Sequence, residues 1–107
     1  SRKFRMHKVS SPADYFARFI SDLKLPPNTQ LQVDRLWEVL QPNVDIWQGK
    51  KPMGVAAALI YKAALESGHK RTQAEICEVA GVSEVTLRGL NRLLEGMFKS
   101  LGESGKN

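Results

Sequence analysis

The sequence predicts an all-α domain, and three observations carry that prediction. Apolar residues recur three and four apart over long stretches, as one buried face of a helix requires. Helix-start and helix-stop residues punctuate the chain densely, with Ser or Thr before a segment, Pro at its first position and Gly or Pro after it. No run alternates apolar and polar residues cleanly with a period of two, so no strand is indicated. The 107 residues, 42% of them apolar, fit one domain with a single core.

The first helix opens in "SSPADYFARFISDLKL", with Ser11 as N-cap and Pro12 at the first helical position. Tyr15, Phe16, Phe19, Ile20 and Leu23 follow at helical spacing until Pro26 and Pro27 stop it. The second helix, "NTQLQVDRLWEVLQP", carries Leu31, Leu36, Trp37, Val39 and Leu40 and ends at Pro42. "NVDIWQGKK" reads as a loop whose Trp47 packs back on the core, with stacking on a nucleic acid as the alternative. The third helix, in "KPMGVAAALIYKAALESG", starts at Pro52 and has Gly68 as a fitting residue just past its end. Ala56, Ala57, Ala58, Ala63 and Ala64 put small side chains on several of its faces, which predicts a central helix that neighbours approach closely. Two more helices are expected, from Thr72 to about Ala80 and from Ser83 to about Leu101. The tail "GESGKN", residues 102–107, reads as disordered. The chain contains no internal repeat.

Composition narrows the function classes. One cysteine, Cys77, permits no intrachain disulfide, and one Cys with two His cannot make a structural zinc site. A reducing compartment is compatible with this. No apolar run approaches the ~20 residues that span a bilayer, and no signal-peptide pattern is present. The chain begins "SRKFRMHKVS" without an initiator Met, as a piece of a longer protein would. Net charge is +5 and the isoelectric point is near 9.6, which fits a polyanionic partner. The excess is local. Arg2, Lys3, Arg5 and Lys8 make a basic arm, and Lys50, Lys51, Lys70 and Arg71 lie in loops.

The stretch "TQAEICEVAGVSEVTLRGLNRLL" raises the functional question. Thr72 and Ser83 are N-cap candidates, Glu75 completes a capping box with Thr72, and Gly81 supplies a turn where positive φ is easily met. Ile76, Ala80, Val82, Leu87 and Leu90 form the apolar wedge between the two helices, and Cys77 reads as a small, buried, inert side chain. Leu87, Leu90 and Leu94, with Met97 or Phe98, face inward, while Glu84, Val85, Arg88, Asn91 and Arg92 face solvent. Val85 and Arg88 stand where recognition helices place base contacts. Arg can donate two parallel hydrogen bonds to guanine, and Val can press on a thymine methyl. Yet Arg88, Arg92 and Lys99 face Glu75, Glu78, Glu84 and Glu95 over 72–99, so attraction to DNA must come from the loops. Lys70 and Arg71 precede one helix of the pair, where Thr72 and Gln73 can donate to phosphate, and Lys50 and Lys51 precede the central helix. The plain alternative is a corner of a helical bundle with solvated lysines.

"RFISDLKL", "GKKPMGVAAALIYKAAL" and "HKRTQAEICEVAGVSEVTLR" together resemble the second cyclin-like repeat of transcription initiation factor IIB, especially its archaeal form. The resemblance covers about residues 12–95. It implies a five-helix cyclin-like repeat over 11–101 whose last two helices form a helix-turn-helix, with 1–10 as the basic connector from a first repeat. It implies promoter double-stranded DNA and TATA-binding protein as partners, and RNA polymerase reached through the parent protein. The promoter element upstream of the TATA box would be read by Val85 and Arg88. Lys70, Arg71, Thr72, Gln73, Ser83, Glu84, Thr86, Arg92, Lys50 and Lys51 would lie on or near the backbone. No cofactor is expected in this segment, a zinc ribbon belonging elsewhere in the parent. The location implied is the archaeal cytoplasm, at the nucleoid, or the nucleus in a eukaryote. The chain departs from the family at Gly89, Leu90 and Asn91, where two polar residues and a Tyr are usual.

Two other function classes compete. A cyclin-like protein-interaction module without sequence reading fits the near-neutral charge of 72–99. An enzyme fits least, because no phosphate loop, ligand cluster or nucleophile with its base is visible. His7, His69 and Tyr61 have ordinary structural readings. Neither a membrane nor a small-molecule substrate is indicated.

Overall fold

The computed structural model describes the backbone of residues 11–106 and the side chains of 11–100. The expectations for the arm at 1–10 and for Asn107 lie outside the described residues. Within them the chain is helical throughout, without strands. A 3₁₀ turn, Pro12–Tyr15, leads into α1 (Phe16–Asp22), followed by α2 (Pro27–Leu40), α3 (Val44–Trp47), α4 (Pro52–Glu66), α5 (Gln73–Ala80) and α6 (Glu84–Lys106).

All five expected segments are helical, with three differences in detail. The first begins as a 3₁₀ turn, with the Ser11 amide donating to the Asp14 carboxylate at 3.0 Å. Within the expected loop, Val44–Trp47 forms a single helical turn. It is held because the Trp47 indole donates to the carbonyls of Leu40 (3.1 Å) and Gln41 (3.2 Å) at the end of α2. The Asn43 amide also donates to the Leu40 carbonyl at 2.8 Å, so the indole adds a second donor there and reaches the Gln41 carbonyl just past the helix end. The last helix also continues to Lys106, past the end expected near Leu101, and no proline stands there to stop it.

Helix α4 is the hub. Gly54 to Ile60, Ala63 and Ala64 are all buried in it, and it touches the 3₁₀ turn, α1, α2, α5 and α6. Alanine makes this possible, because its short side chain lets several helices close in on one axis. The Cβ position at Gly54 lies 2.8 Å from Leu90 Cδ1 and 3.7 Å from Thr86 Cγ2, so α6 crosses α4 there closer than a side chain permits. Gly68 ends the segment at φ +84°, with the His69 amide donating to the Ala64 carbonyl at 2.8 Å, as a glycine C-cap does.

Helix α2 buries Thr29, Val33, Leu36, Trp37 and Leu40, whereas Leu31 is 59% exposed. Thr29 is wholly buried and polar, and its hydroxyl is satisfied by the Ser67 hydroxyl at 2.9 Å. Trp37 packs edge-on against Phe16 and lies 5.1 Å from Trp47, centroid to centroid, so Trp47 does pack back on the core. The Lys62 ammonium sits 5.6 Å from the centre of the Phe98 ring and pins α6 to α4 far from the turn.

Candidate nucleic-acid interface

The site is the corner between α5 and α6 and the loops beside it. Thr72 and Glu75 cap α5 reciprocally: the Glu75 amide donates to the Thr72 hydroxyl, and the Thr72 amide to the Glu75 carboxylate, both at 3.1 Å. This closes the start of α5 as a capping box does. At its end Gly81 takes φ 75°, ψ 31°, and the amides of Gly81 and Val82 both donate to the Cys77 carbonyl (2.8 and 3.2 Å). The Ser83 hydroxyl accepts from the Thr86 amide at 3.2 Å and pairs with the Thr86 hydroxyl at 3.0 Å, which starts α6. Ile76, Cys77, Ala80, Leu87, Leu90 and Leu94 are buried and Val82 half-buried, the expected wedge.

The outward side of that rigid corner carries the candidate readers. Val85 is 74% exposed, the most exposed large apolar residue described. Arg88 lies one turn on, its side chain 61% exposed and 3.8 Å from the Glu84 carboxylate. At that length in open solvent the pair is worth a few tenths of a kcal/mol, so the guanidinium remains free to exchange partners. Thr86 and Arg92 are exposed too, while Asn91, expected outside, is half-buried. Burial pushes the Cys77 thiol up, Glu84 adds to this and Arg88 opposes it, so a neutral, inert thiol lies behind the corner.

The loop cations fall into two groups. Lys51 Cβ stands 3.9 Å from the Gly54 Cβ position, which also meets Thr86 and Leu90. Lys51, followed by α4, therefore stands beside the start of α6, with Lys50 exposed next to it. Lys70 and Arg71 lie at the start of α5, separated from the start of α6 by the length of α5, about 12 Å. Lys70 is exposed. Arg71 behaves differently. Its guanidinium donates to the Leu23 carbonyl at 3.3 Å and to the carbonyls of His69 and Lys70 at 3.2 Å. It ties the end of α1 to the loop before α5 and shares a cleft with Asp22, Glu75 and Glu78. Gln73 is half-buried beside it, and the Thr72 hydroxyl, an acceptor in its cap, keeps its own proton to donate.

Sequence reasoning missed Gly54. A glycine inside an otherwise strongly helical, apolar run is the signal that could have found it. Among the described residues no group of three or more His, Cys, Asp or Glu could hold a metal ion. No described helix is long and apolar enough to cross a membrane.

Fold and site together define a class: an all-helical domain in which a short helix, a left-handed glycine turn and a longer helix leave the first turns of the second uncovered. Within that class the comparisons are specific. The family described as Transcription factor TFIIB repeat matches residues 5–96, and the chain belongs to it. It is 46% identical over 102 residues to Transcription initiation factor IIB 1 of Thermoplasma volcanium, covering 92% of this chain and 32% of that protein. It is 44% identical over 79 residues to Transcription initiation factor IIB 2 of Halobacterium salinarum (74% and 24%) and 43% over 81 to Transcription initiation factor IIB of Methanopyrus kandleri (76% and 26%). The chain thus spans 24–32% of the length of these curated relatives.

Proposed function

We propose that this chain is the DNA-reading module of a general transcription initiation factor. On this reading it recognises the promoter element upstream of the TATA box and stabilises the complex of TATA-binding protein with promoter DNA, so that RNA polymerase is recruited through the parent protein. The observation that carries it is the exposure of Val85 and Arg88 on a helix start that two caps and a buried Leu87 hold rigid. Base reading needs side chains that are exposed on a backbone that is not.

Phosphate contacts position such a module and base contacts specify it. Lys50 and Lys51 beside α6, and Lys70 before α5, supply the first kind. Arg88, with five donors in a planar fork, supplies the second, and Val85 reads a methyl. Arg71 contributes as a clasp that sets the start of α5, in place of a direct phosphate contact. Glu84 loosens non-specific attraction and so sharpens the dependence on the right bases.

The test uses the intact protein with TATA-binding protein, on promoter DNA and on a scrambled duplex. Arg88→Ala is expected to weaken the promoter complex by about 1–3 kcal/mol and to flatten the preference between the two duplexes. Lys70→Ala weakens both alike and reduces the salt slope by about one. An Arg88→Ala protein that discriminates as well as wild type removes the reading role. The second reading, a protein-interaction module, draws on the acidic side chains around Arg88. It is favoured if DNA leaves the amide signals around Val85 unmoved while a protein partner shifts them.

A further inference from the structure

We propose that Gly89 is a specificity-determining position. It is a gap without a side chain on the outward face of α6, and it lets the helix seat deeply in the major groove while the sugar–phosphate wall passes the bare backbone. The inference rests on the DNA-reading function proposed above.

Helical spacing puts Val85, Arg88, Gly89 and Arg92 on one face, and all four are exposed. Glycine inside a helix is unfavourable, so its presence there needs a reason. The structure displays two ordinary reasons elsewhere. Gly81 has a left-handed backbone at φ 75°, and Gly54 has Leu90 Cδ1 only 2.8 Å from where a Cβ would be. Gly89 has neither: its backbone is helical, and a Cβ built there meets nothing within 4 Å. What remains is close approach by a molecule from outside.

The neighbours identify that molecule. Residues at the start of a recognition helix and on the same face over its next turns enter the groove together, so Gly89 shares the face that Val85 and Arg88 present. Gly89 is one turn past Val85 and is flanked on its face by Arg88, the proposed base reader, and by Arg92, whose exposed guanidinium suits phosphate oxygens. Gly96 is open as well, but it lies two turns further from the helix start, in a mostly apolar groove of Ile46, Leu93 and Met97 that Arg92 and Ser100 also line. A side chain at 89 would hold the helix off the wall and draw Val85 and Arg88 back from the bases. Discrimination would fall more than overall attraction.

The experiment compares the intact wild-type protein with Gly89→Ala, Gly89→Leu and Arg88→Ala. Each is titrated into the duplex that wild type selects from random DNA and into a scrambled duplex of equal length, and the melting point is recorded. Gly89→Ala is expected to raise the melting point of this domain by roughly 4–8 °C. It should lower the preference for the selected duplex roughly tenfold, and Gly89→Leu should lower it further. If Gly89→Ala stabilises the fold and leaves the preference intact while Arg88→Ala lowers it, the gap is inert and this inference fails with DNA reading still standing. If neither substitution changes the preference, or wild type shows none, the inference and the DNA-reading function fall together. A drop in melting point alongside lost preference makes 89 a folding position and also overturns it.

Discussion

Helices α4 and α6 lie against each other and are built on opposite plans. Along α4 the buried residues run from Gly54 to Ile60 without a break, and Ala63 and Ala64 are buried after them. It has no wide outward face on which to place chemistry. Along α6 one line, Leu87, Leu90 and Leu94, is buried, while Val85, Arg88, Gly89 and Arg92 stand outside. The first helix is constrained by its neighbours on most sides and the second on one. Only the second is free to vary its outer residues without disturbing the core. That is why a change at exposed Gly89 leaves the core alone, whereas one at buried Ala57 or Leu59 would not.

Three substitutions sharpen this contrast. The largest effect is expected in the hub. Leu59 is wholly buried, so Leu59→Ala should cost about 2–5 kcal/mol, measured by denaturant unfolding, with base preference unchanged in whatever remains folded. Gly54→Ala sits where the two plans meet. The new methyl would press on Leu90 Cδ1, and the net loss should be about 1–2 kcal/mol, with amide shifts spreading from Leu90 to Val85. The smallest effect is at the corner's first cap. Thr72→Ala leaves the Glu75 amide without its acceptor, costing about 1 kcal/mol and speeding amide exchange at the start of α5. A Leu59→Ala protein with altered base preference, or a Gly54→Ala protein with none of these shifts, would break the division between a fixed hub and a presented face.

Much of this plan was legible in the chain. Pro12, Pro52, Thr72, Gly68, Gly81 and Ser83 mark helix ends through local backbone chemistry, which depends on few neighbours. The wedge of the α5–α6 corner followed from its spacing. The remainder depends on partners distant in sequence. Trp47 turns 44–47 into a helix by reaching back to the end of α2. Arg71 is drawn to the Leu23 carbonyl, 48 positions earlier, so a residue expected near the DNA backbone also clasps α1 to the start of α5. Leu90 was expected inward, but its close contact with Gly54, 36 positions earlier, needed the fold. Thr29 is buried because the Ser67 hydroxyl, 38 positions later, meets its own at 2.9 Å. The side chains proposed to read DNA are exposed, with Arg88 loosely paired to Glu84, so their residue types and exposure describe them and their bases do not follow.

The Trp37–Trp47 pair has a practical consequence. The chain's only two tryptophans share one cluster, 5.1 Å apart, at the junction of α2 and α3. Intrinsic emission therefore watches a single corner of the molecule and is blind to the one proposed to meet DNA. Fraying of α6 would leave the emission constant while helical ellipticity fell, and the two signals would separate. Coincident curves would instead mean that both corners melt as one cooperative unit.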